Sequence, residues 1–283
     1  MPADFDWALL GTQLGLMAWP LFLGLLACSV VLAGGVAAWL AHGRTPNADA
    51  GSALPQGFVA RLGAGLVSGF VLMLATAVVF TALARLLGDG RALQRLDEAL
   101  SHSVAVNAPP QALAVFGWLT HFGEPMVLTA LGAVVGVALW LAGQRGLTLG
   151  WLAALGGNAL LNPTLKAVFS RARPWHPDTV SPALGFSFPS GHSSGAMVAY
   201  GMLAYLAWRL LPPRCRVPAA MLAAAVIFTT ASSRVFLQVH FASDVVAGLC
   251  SGLGWLALCV GSLEFARHRA ARRTRTQPAV NRP

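Results

Sequence analysis

The sequence predicts an all-α fold, a polytopic transmembrane bundle of about seven helices, and three observations support this class. Of the 283 residues, 56% are hydrophobic and only 10% are charged, whereas about a quarter of a typical soluble domain is charged. Mean hydropathy is +0.65. The hydrophobic residues are gathered in long runs. Together these features exclude an ordinary soluble globular domain and a disordered chain.

The hydrophobic runs are the predicted membrane spans, because a helix needs about 20 apolar residues to cross a hydrocarbon core of about 30 Å. The third and sixth runs are short, and we expect them to tilt or to thin the bilayer locally. The first is interpreted as a retained span rather than a cleaved signal peptide, since only Asp4 and Asp6 are charged before it and it is too long. The runs cover residues 17–41, 62–87, 126–142, 147–168, 193–210, 217–232 and 242–263.

Arginine is concentrated in alternate connections between these runs, at Arg44, Arg61, Arg145, Arg209, Arg214, Arg216 and along the C-terminal tail. The positive-inside rule places these connections in the cytoplasm, so the N-terminus faces outward and the C-terminus inward. The net charge of +9 is therefore an orientation signal that also contacts anionic lipid. Nucleic-acid binding is the weaker alternative.

Three regions follow from this pattern. Residues 1–61 form an extra N-terminal span with a cytoplasmic linker, residues 62–263 form the membrane core, and residues 264–283 form a basic, disordered tail. Leu93, Leu96, Leu100 and Val104 recur at helical spacing after Gly90 and predict an amphipathic helix on the outer surface. The charged residues Arg91, Arg95, Asp97 and Glu98 are expected on its other faces.

Polar residues stand at four predicted helix ends on the outer side of the membrane, where ionisable groups are costly and commonly functional. Lys166, the only lysine, ends the fourth run, and Arg173 follows it. Arg234 ends the sixth run. We expect the helix ends to bring together Lys166, Arg173, Ser190, Gly191, His192, Arg234, His240 and Asp244.

This set of residues suits a tetrahedral oxyanion such as phosphate. Arginine binds phosphate oxygens bidentately, and lysine supplies a point charge. Gly191 begins a helix, where free backbone N–H groups bind anions and the missing side chain permits close approach. Asp244, one turn after His240, would orient that imidazole as a nucleophile, and His192 would act as the acid. No Cys, His or carboxylate spacing indicates a metal site or a disulfide framework.

The same residues resemble the three signature blocks of the type 2 phosphatidic acid phosphatase superfamily. The blocks are Lys166 with Arg173-Pro174, Pro189-Ser190-Gly191-His192, and Ser233-Arg234 with His240 and Asp244. The resemblance covers about residues 62–263 and makes the first span an addition to the usual six-helix fold. It implies that His240 forms a phosphohistidine oriented by Asp244, and that His192 protonates the leaving group. It further implies a metal-independent enzyme without a cofactor, whose phosphate ligands are Lys166, Arg173, Ser190, Gly191 and Arg234.

The favoured interpretation is an integral membrane lipid phosphatase that acts on a lipid phosphomonoester or diphosphate. A lipid phosphotransferase using the same phosphohistidine is one alternative, and a non-catalytic phospholipid-binding or flipping protein is another. The superfamily also includes soluble vanadium haloperoxidases, against which the hydrophobic runs count. Phosphatidic acid, phosphatidylglycerol phosphate, undecaprenyl diphosphate and lipid A phosphates all stay open as substrates. We expect a bacterial inner membrane with the site facing the periplasm; the sequence leaves the oligomeric state open.

Several flanking residues have weaker interpretations. Lys166 by itself would also suit a lysine that snorkels to the interface. His121 and Glu124 would contact a headgroup or be ordinary interfacial residues, and Trp175, His176 and Asp178 would shape the mouth of the pocket. Arg171 is expected to contribute only to the local field. The pairs Gly65 with Gly69 and Gly248 with Gly252 suit close helix packing.

Overall fold

The computed structural model describes residues 5–42, 56–89, 91–174 and 185–276, with no side-chain description for 56–68, 88, 89, 91 and 271–276. Over the described ranges the secondary structure is helical, without strands, and short 3₁₀ turns lie at Thr120–Gly123 and Pro213–Cys215. The α-helices are α1 (Trp7–Leu16), α2 (Ala18–His42), α3 (Gln56–Asp89), α4 (Arg91–Asn107), α5 (Pro110–Leu119), α6 (Pro125–Leu141), α7 (Arg145–Phe169), α8 (Gly191–Leu210), α9 (Arg216–Phe236) and α10 (Ala242–Thr276).

Each of the seven predicted runs corresponds to one helix, namely α2, α3, α6, α7, α8, α9 or α10, and α10 continues well past the end of its run. Four described segments are long and apolar enough to cross a membrane alone: Ala18–His42, Gly69–Leu87, Pro213–Phe236 and Ala242–Ala270. A fifth arises if Pro110–Gly123 and Pro125–Leu141, bent by 47°, form one broken span. Helices α7 and α8 are less apolar because they carry polar residues such as Asn158, Asn162 and Arg209. The chain is an integral membrane protein; seven spans and their orientation stay predictions.

Helix α8 packs between α7, α9 and α10, and its first turns lie very close to α10. A Cβ atom at Gly248 would lie 2.5 Å from the carbonyl oxygen of Ser190, and one at Gly252 would lie 2.8 Å from that of Ser194. The predicted packing role of this glycine pair is confirmed. Gly69 has no described neighbour within 4 Å of such an added atom, and Gly65 lies among the residues whose side chains are not described.

The predicted amphipathic helix is present as α4, but Asp97 is not on its exposed side. Its side chain is completely buried. The reason lies in helical spacing: Asp97 follows Leu93 by four residues and precedes Leu100 by three, which puts it within the apolar stripe. Helix α1 covers α4, and a Cβ atom at Gly11 would lie only 2.4 Å from the carbonyl oxygen of Leu96. The expectation of Asp97 on another, polar face was therefore wrong.

The N-terminal segment is packed against the core by aromatic residues. Phe22 of α2 contacts Phe116 of α5 and Phe236 of α9, with ring centroids 4.9 and 6.0 Å away. Phe116 and Phe236 stack at 4.4 Å. Large aromatic side chains in such a cluster contribute strongly to packing. Helix α2 packs on α9, whose C-terminal end is one of the polar helix ends, and α1 packs on α4.

The C-terminal tail differs from expectation, because α10 continues to Thr276. Disorder from residue 264 onward was therefore the wrong prediction for residues 264–276. Ala266 and Ala270 have high helix propensity, and a long apolar helix before them already provides the nucleus from which helix formation extends. Residues 277–283 lie outside the described part of the chain.

Candidate active site

Four helix ends meet at one end of the bundle: the C-terminal ends of α7 and α9 and the N-terminal ends of α8 and α10. The backbone N–H of Ser190, before α8, donates to the carbonyl of Asp244 in α10 at 2.9 Å. The N–H of His240 donates to the carbonyl of Arg234, near the end of α9, at 3.2 Å. The first contact joins the second and third sequence blocks directly, and the second lies within the third block.

His240 lies between α9 and α10 with 2% of its surface exposed. Its Nδ1 atom is 3.5 Å from Oδ2 of Asp244, and its Nε2 atom is 3.1 Å from Nη1 of Arg173. A guanidinium group can only donate hydrogen bonds, so Nε2 is the acceptor. The ring proton of the neutral imidazole therefore belongs on Nδ1, towards Asp244. This tautomer leaves a lone pair on Nε2 beside the cations.

Burial lowers the pKa of His240 to about 4, the Asp244 carboxylate opposes this change, and Arg173 adds to it. Burial acts in this direction because it disfavours the charged imidazolium. His240 is consequently neutral near pH 7, which is the form that carries a nucleophilic nitrogen.

Asp244 is fully buried, and donors surround its carboxylate. Arg171 Nη1 donates to one oxygen at 2.6 Å. The other oxygen accepts from the backbone N–H of Phe241 at 2.9 Å and from the hydroxyl of Ser187. Charge-assisted bonds of this kind favour the ionised carboxylate and hold it in one orientation. Asp244 is thus a fixed negative group behind His240.

Three cations line the side of the pocket that His240 Nε2 faces. Arg173 donates to the carbonyls of Val239 and Gly185 at 2.7 and 3.0 Å. Lys166 Nζ donates to the carbonyl of Phe186 at 2.8 Å. Arg234 Nη1 donates to Thr120 Oγ1 at 2.5 Å, while its buried Nε has no hydrogen-bond partner among the described residues. A buried N–H without a partner is costly, and a bound anion would satisfy it.

The start of α8 supplies the rest of the site. Ser190 is the N-cap, and its side-chain oxygen accepts from the N–H of Ser193. A Cβ atom at Gly191 would lie 3.0 Å from Oδ1 of Asn162, and one at Gly123 would lie 3.0 Å from the His192 side chain. The electrostatic neighbours of His192 are Arg234, His240, Lys166 and Arg173. All eight residues predicted from the sequence therefore lie in one cluster.

Other predicted contacts have mixed outcomes. His121 pairs with Glu124 at 2.7 Å on an exposed surface, next to the turn whose Thr120 contacts Arg234. Trp175, His176 and Asp178 lie outside the described residues. Within the described residues, no three His, Cys, Asp or Glu side chains are grouped as metal ligands; independence from metals stays a prediction.

Arg171 was underestimated from the sequence. It contacts Asp244 directly and also reaches Asp97 through Nη2 at 2.9 Å, so it does more than add to the field. Ser187, Ser243 and Thr120 were not predicted at all, because single hydroxyl residues carry no distinctive sequence pattern. Asp97 did have a signal: an acidic residue within the apolar stripe of an amphipathic helix.

Known proteins share this arrangement. Residues 147–267 match the PAP2 superfamily. Phosphatidylglycerophosphatase B of Bacillus subtilis is 32% identical over 164 residues, 57% of this chain and 80% of the relative. The chain belongs to the PAP2 superfamily. The PAP2 match agrees with the resemblance inferred from the three sequence blocks, and it makes the chain an integral membrane phosphatase.

Two further PAP2 comparisons extend the match. The decaprenylphosphoryl-5-phosphoribose phosphatase of Mycolicibacterium smegmatis is 32% identical over 167 residues, 57% of this chain and 81% of the relative. The crystal structure of a transmembrane PAP2-type phosphatidylglycerolphosphate phosphatase from Bacillus subtilis has a TM-score of 0.64 and 29% identity. That likeness covers 69% of this chain and 96% of the solved one.

Proposed function

We propose that the protein hydrolyses a phosphomonoester or diphosphate on a membrane lipid through a phosphohistidine formed at His240. The observation that carries this proposal is the position of the imidazole of His240. One ring nitrogen faces a fixed carboxylate, and the other accepts from Arg173 at 3.1 Å. A nucleophile oriented by a third group, with cations on its reactive side, is typical of covalent phosphoryl transfer.

The first step forms the bond between phosphorus and Nε2 of His240 as the bond from phosphorus to the leaving oxygen breaks. Burial and the neighbouring cations favour neutral His192 in the free site, and the negative charge of the bound phosphate favours its protonated form. Protonated His192 then gives its proton to the leaving oxygen, which departs as an alcohol or as a phosphate. In the second step His192 accepts a proton from water while the water oxygen attacks phosphorus. The P–N bond then breaks, which releases phosphate and restores His240.

The phosphate oxygens would be bound by Lys166, Arg173, Arg234, Ser190 and the N–H group of Gly191. Ser193 donates its hydroxyl hydrogen to Ser190 Oγ at 2.9 Å, which leaves the hydroxyl hydrogen of Ser190 free to donate to an anion. Negative charge increases on the leaving oxygen in the transition state, and preorganised cations stabilise it most in a buried site. No metal or other cofactor is included in this proposal.

A lipid substrate is supported by a cavity of about 280 Å³ between α3, α7 and α10. Met73, Phe80, Leu161, Leu165 and Trp255 are among its lining residues. Leu165 directly precedes Lys166, so an apolar chain in this cavity would lie beside the phosphate ligands. The names of the two curated relatives also specify phosphates carried by lipids. We further propose a bacterial inner membrane with the site on the periplasmic side.

The direct test is His240→Ala, assayed for phosphate release from phosphatidylglycerol phosphate in detergent. Loss of the nucleophile should reduce the rate by more than about 1,000-fold. His42→Ala is the matched control, because His42 is exposed at the C-terminal end of α2 and, among the described residues, its ring bonds only to the carbonyl of Ala38 in the same helix. Normal folding of both variants is checked by thermal unfolding.

The same assay distinguishes the competing activities. Hydrolysis releases labelled phosphate into water, whereas a phosphotransferase would move the label to an acceptor lipid. Activity that survives in the folded His240→Ala variant would contradict the phosphohistidine mechanism. Activity unchanged by a chelator is the expected result for the metal-independent reaction.

A further inference from the structure

A chain of charged groups extends behind His240, away from the phosphate pocket. Asp244 contacts His240 and also accepts from Arg171 Nη1 at 2.6 Å. Arg171 Nη2 is in turn 2.9 Å from Oδ2 of Asp97 on helix α4. The side chains of Asp97, Arg171 and Asp244 are 1%, 13% and 0% exposed. The three charged groups are therefore shielded from water. Electrostatic interactions are stronger in such a buried environment than in water.

Ser243 completes the contact between α4 and the site. Its hydroxyl donates to Asp97 Oδ2 and accepts from Arg171 at 2.8 Å. Its backbone N–H donates to Asp97 Oδ1 at 3.2 Å. Asp97 thus accepts from a guanidinium, a hydroxyl and a backbone N–H. Burial raises the pKa of Asp97, and these donors oppose the rise because they favour the ionised carboxylate.

Asp97 determines how Arg171 approaches Asp244. A guanidinium beside a single carboxylate tends to bind both of its oxygens. Here Nη2 is occupied by Asp97, so Arg171 reaches only Oδ1 of Asp244. Oδ2 is left for His240, Ser187 and the N–H of Phe241. Without Asp97, Arg171 would be free to turn towards the oxygen that faces the imidazole.

The charges also matter during the reaction. When His240 Nε2 bonds to phosphorus while Nδ1 keeps its proton, the imidazole becomes positively charged. With Asp97 ionised, as its three donors favour, two carboxylates and one guanidinium leave one net negative charge behind this ring. Removal of the Asp97 charge would leave a neutral Arg171–Asp244 pair, which would stabilise the developing charge less.

We propose that Asp97 is a positioning residue for phosphoryl transfer, which acts through Arg171 on Asp244 and thereby on His240. The proposal rests on the function proposed above for His240. It assigns a role to helix α4, which lies before the region, residues 147–267, that matches the PAP2 superfamily. It predicts that Asp97 affects the chemical step and not the binding of phosphate.

The test is Asp97→Asn, which keeps the shape of the side chain and removes its charge. We expect kcat to fall by about 10- to 100-fold, which is the typical loss when a group that orients a functional histidine through hydrogen bonds is removed. KM should stay unchanged because the phosphate ligands are intact. The control is Glu98→Gln, the same kind of change at the next position, where the side chain is exposed and, within the described part of the chain, bonds only to Gln94. It should keep the wild-type kcat.

A double-mutant cycle separates positioning from a general structural effect. If Asp97 acts through Asp244, adding Asp97→Asn to Asp244→Asn should change kcat by no more than about twofold. An equal loss in both backgrounds, a rise in KM alone, or a wild-type kcat in Asp97→Asn would overturn the proposal. Should Asp97→Asn fail to fold, Arg171→Lys keeps the charge but cannot reach both carboxylates, and a wild-type kcat there would equally contradict it.

The outcome for His240→Ala keeps the two proposals distinct. Activity in His240→Ala removes the phosphohistidine mechanism, whatever Asp97→Asn does. An inactive His240→Ala together with a fully active Asp97→Asn removes only the role of Asp97.

Discussion

At the scale of single residues, the proposed mechanism requires two charge states of His240 in turn, and different neighbours favour each state. As the proposed nucleophile, His240 must stay neutral before the reaction, yet it needs stabilisation once it carries positive charge. Burial and Arg173 favour the neutral form, whereas Asp244 favours the charged one. Because Asp244 faces Nδ1 and Arg173 faces Nε2, the two influences act on opposite sides of the ring.

This balance predicts a pH dependence of stability. Burial lowers the pKa of His240 to about 4, compared with about 6.5 in the unfolded chain. Between these values the unfolded chain binds a proton that the folded protein does not, so stability falls as pH falls through this window. His240→Asn should lose this component and show a flatter dependence of the melting temperature on pH. The measurement is thermal unfolding in detergent.

Other groups also titrate in that window, so the informative quantity is the difference between His240→Asn and the wild type. His42→Asn is the control, and its curve should follow the wild type. Parallel curves for wild type and His240→Asn would show that burial does not lower the pKa of His240.

At the scale of helices, the contact between α1 and α4 connects the N-terminal segment to the site. A Cβ atom at Gly11 would lie 2.4 Å from the carbonyl oxygen of Leu96 and 3.0 Å from the backbone nitrogen of Leu100. Only glycine permits this approach of two helix backbones. Asp97 lies between these two contact points. A shift of α1 relative to α4 would therefore move the Asp97 carboxylate.

Gly11→Val should therefore displace α4 and lower both stability and kcat. Overpacking of this kind destabilises a protein by about 1–3 kcal/mol, and a displaced Asp97 would contact Arg171 less well. Thermal unfolding and steady-state kinetics in detergent measure the two effects. Gly24→Val on α2 is the control, since no described atom lies within 4 Å of its added Cβ. Unchanged stability and kcat in Gly11→Val would show that α1 does not support α4.

At the scale of the whole molecule, Phe80 connects the apolar cavity between α3, α7 and α10 to the segment that precedes α8. Phe188, in the connection that leads to α8, packs on Phe80 and Phe169, with ring centroids 5.4 and 5.1 Å away. Phe80 also lines the cavity. A lipid whose tail occupied this cavity would have its phosphate close to Lys166, which would select long-chain substrates.

Ala77→Phe tests this arrangement, because Ala77 lines the cavity and a phenyl ring would fill part of it. We expect kcat/KM for a long-chain lipid phosphate to fall about 10-fold or more, with no change for a short-chain, water-soluble phosphate ester. Val134→Phe on the exposed side of α6, where Val134 is 68% exposed, should change neither. An equal loss on both substrates would show that the cavity affects the site itself and does not bind lipid tails.

Much of the fold and of the site was predictable because the signals are local along the chain. Hydropathy identified the seven runs that became helices, and the spacing of Lys166, Arg173 and His192 relative to their helix ends predicted which residues would meet. Asp244 one turn after His240 predicted an oriented imidazole. Helix α10 extends past its apolar run because good helix formers follow it, and hydropathy alone does not report helix propensity.

The sequence by itself determined the helical membrane class through hydropathy. It also predicted the polar residues at the helix ends from their positions in the runs, and Asp244 as the partner of His240 from their spacing of one helical turn. The tertiary structure alone decided that Arg171 reaches Asp97, 74 residues away, and that α1 packs against α4 at Gly11. Such contacts depend on which helix faces meet and at what distance. Hydrophobic periodicity specifies that a face is buried, but the identity of the face opposite it follows only from the packing of the whole bundle.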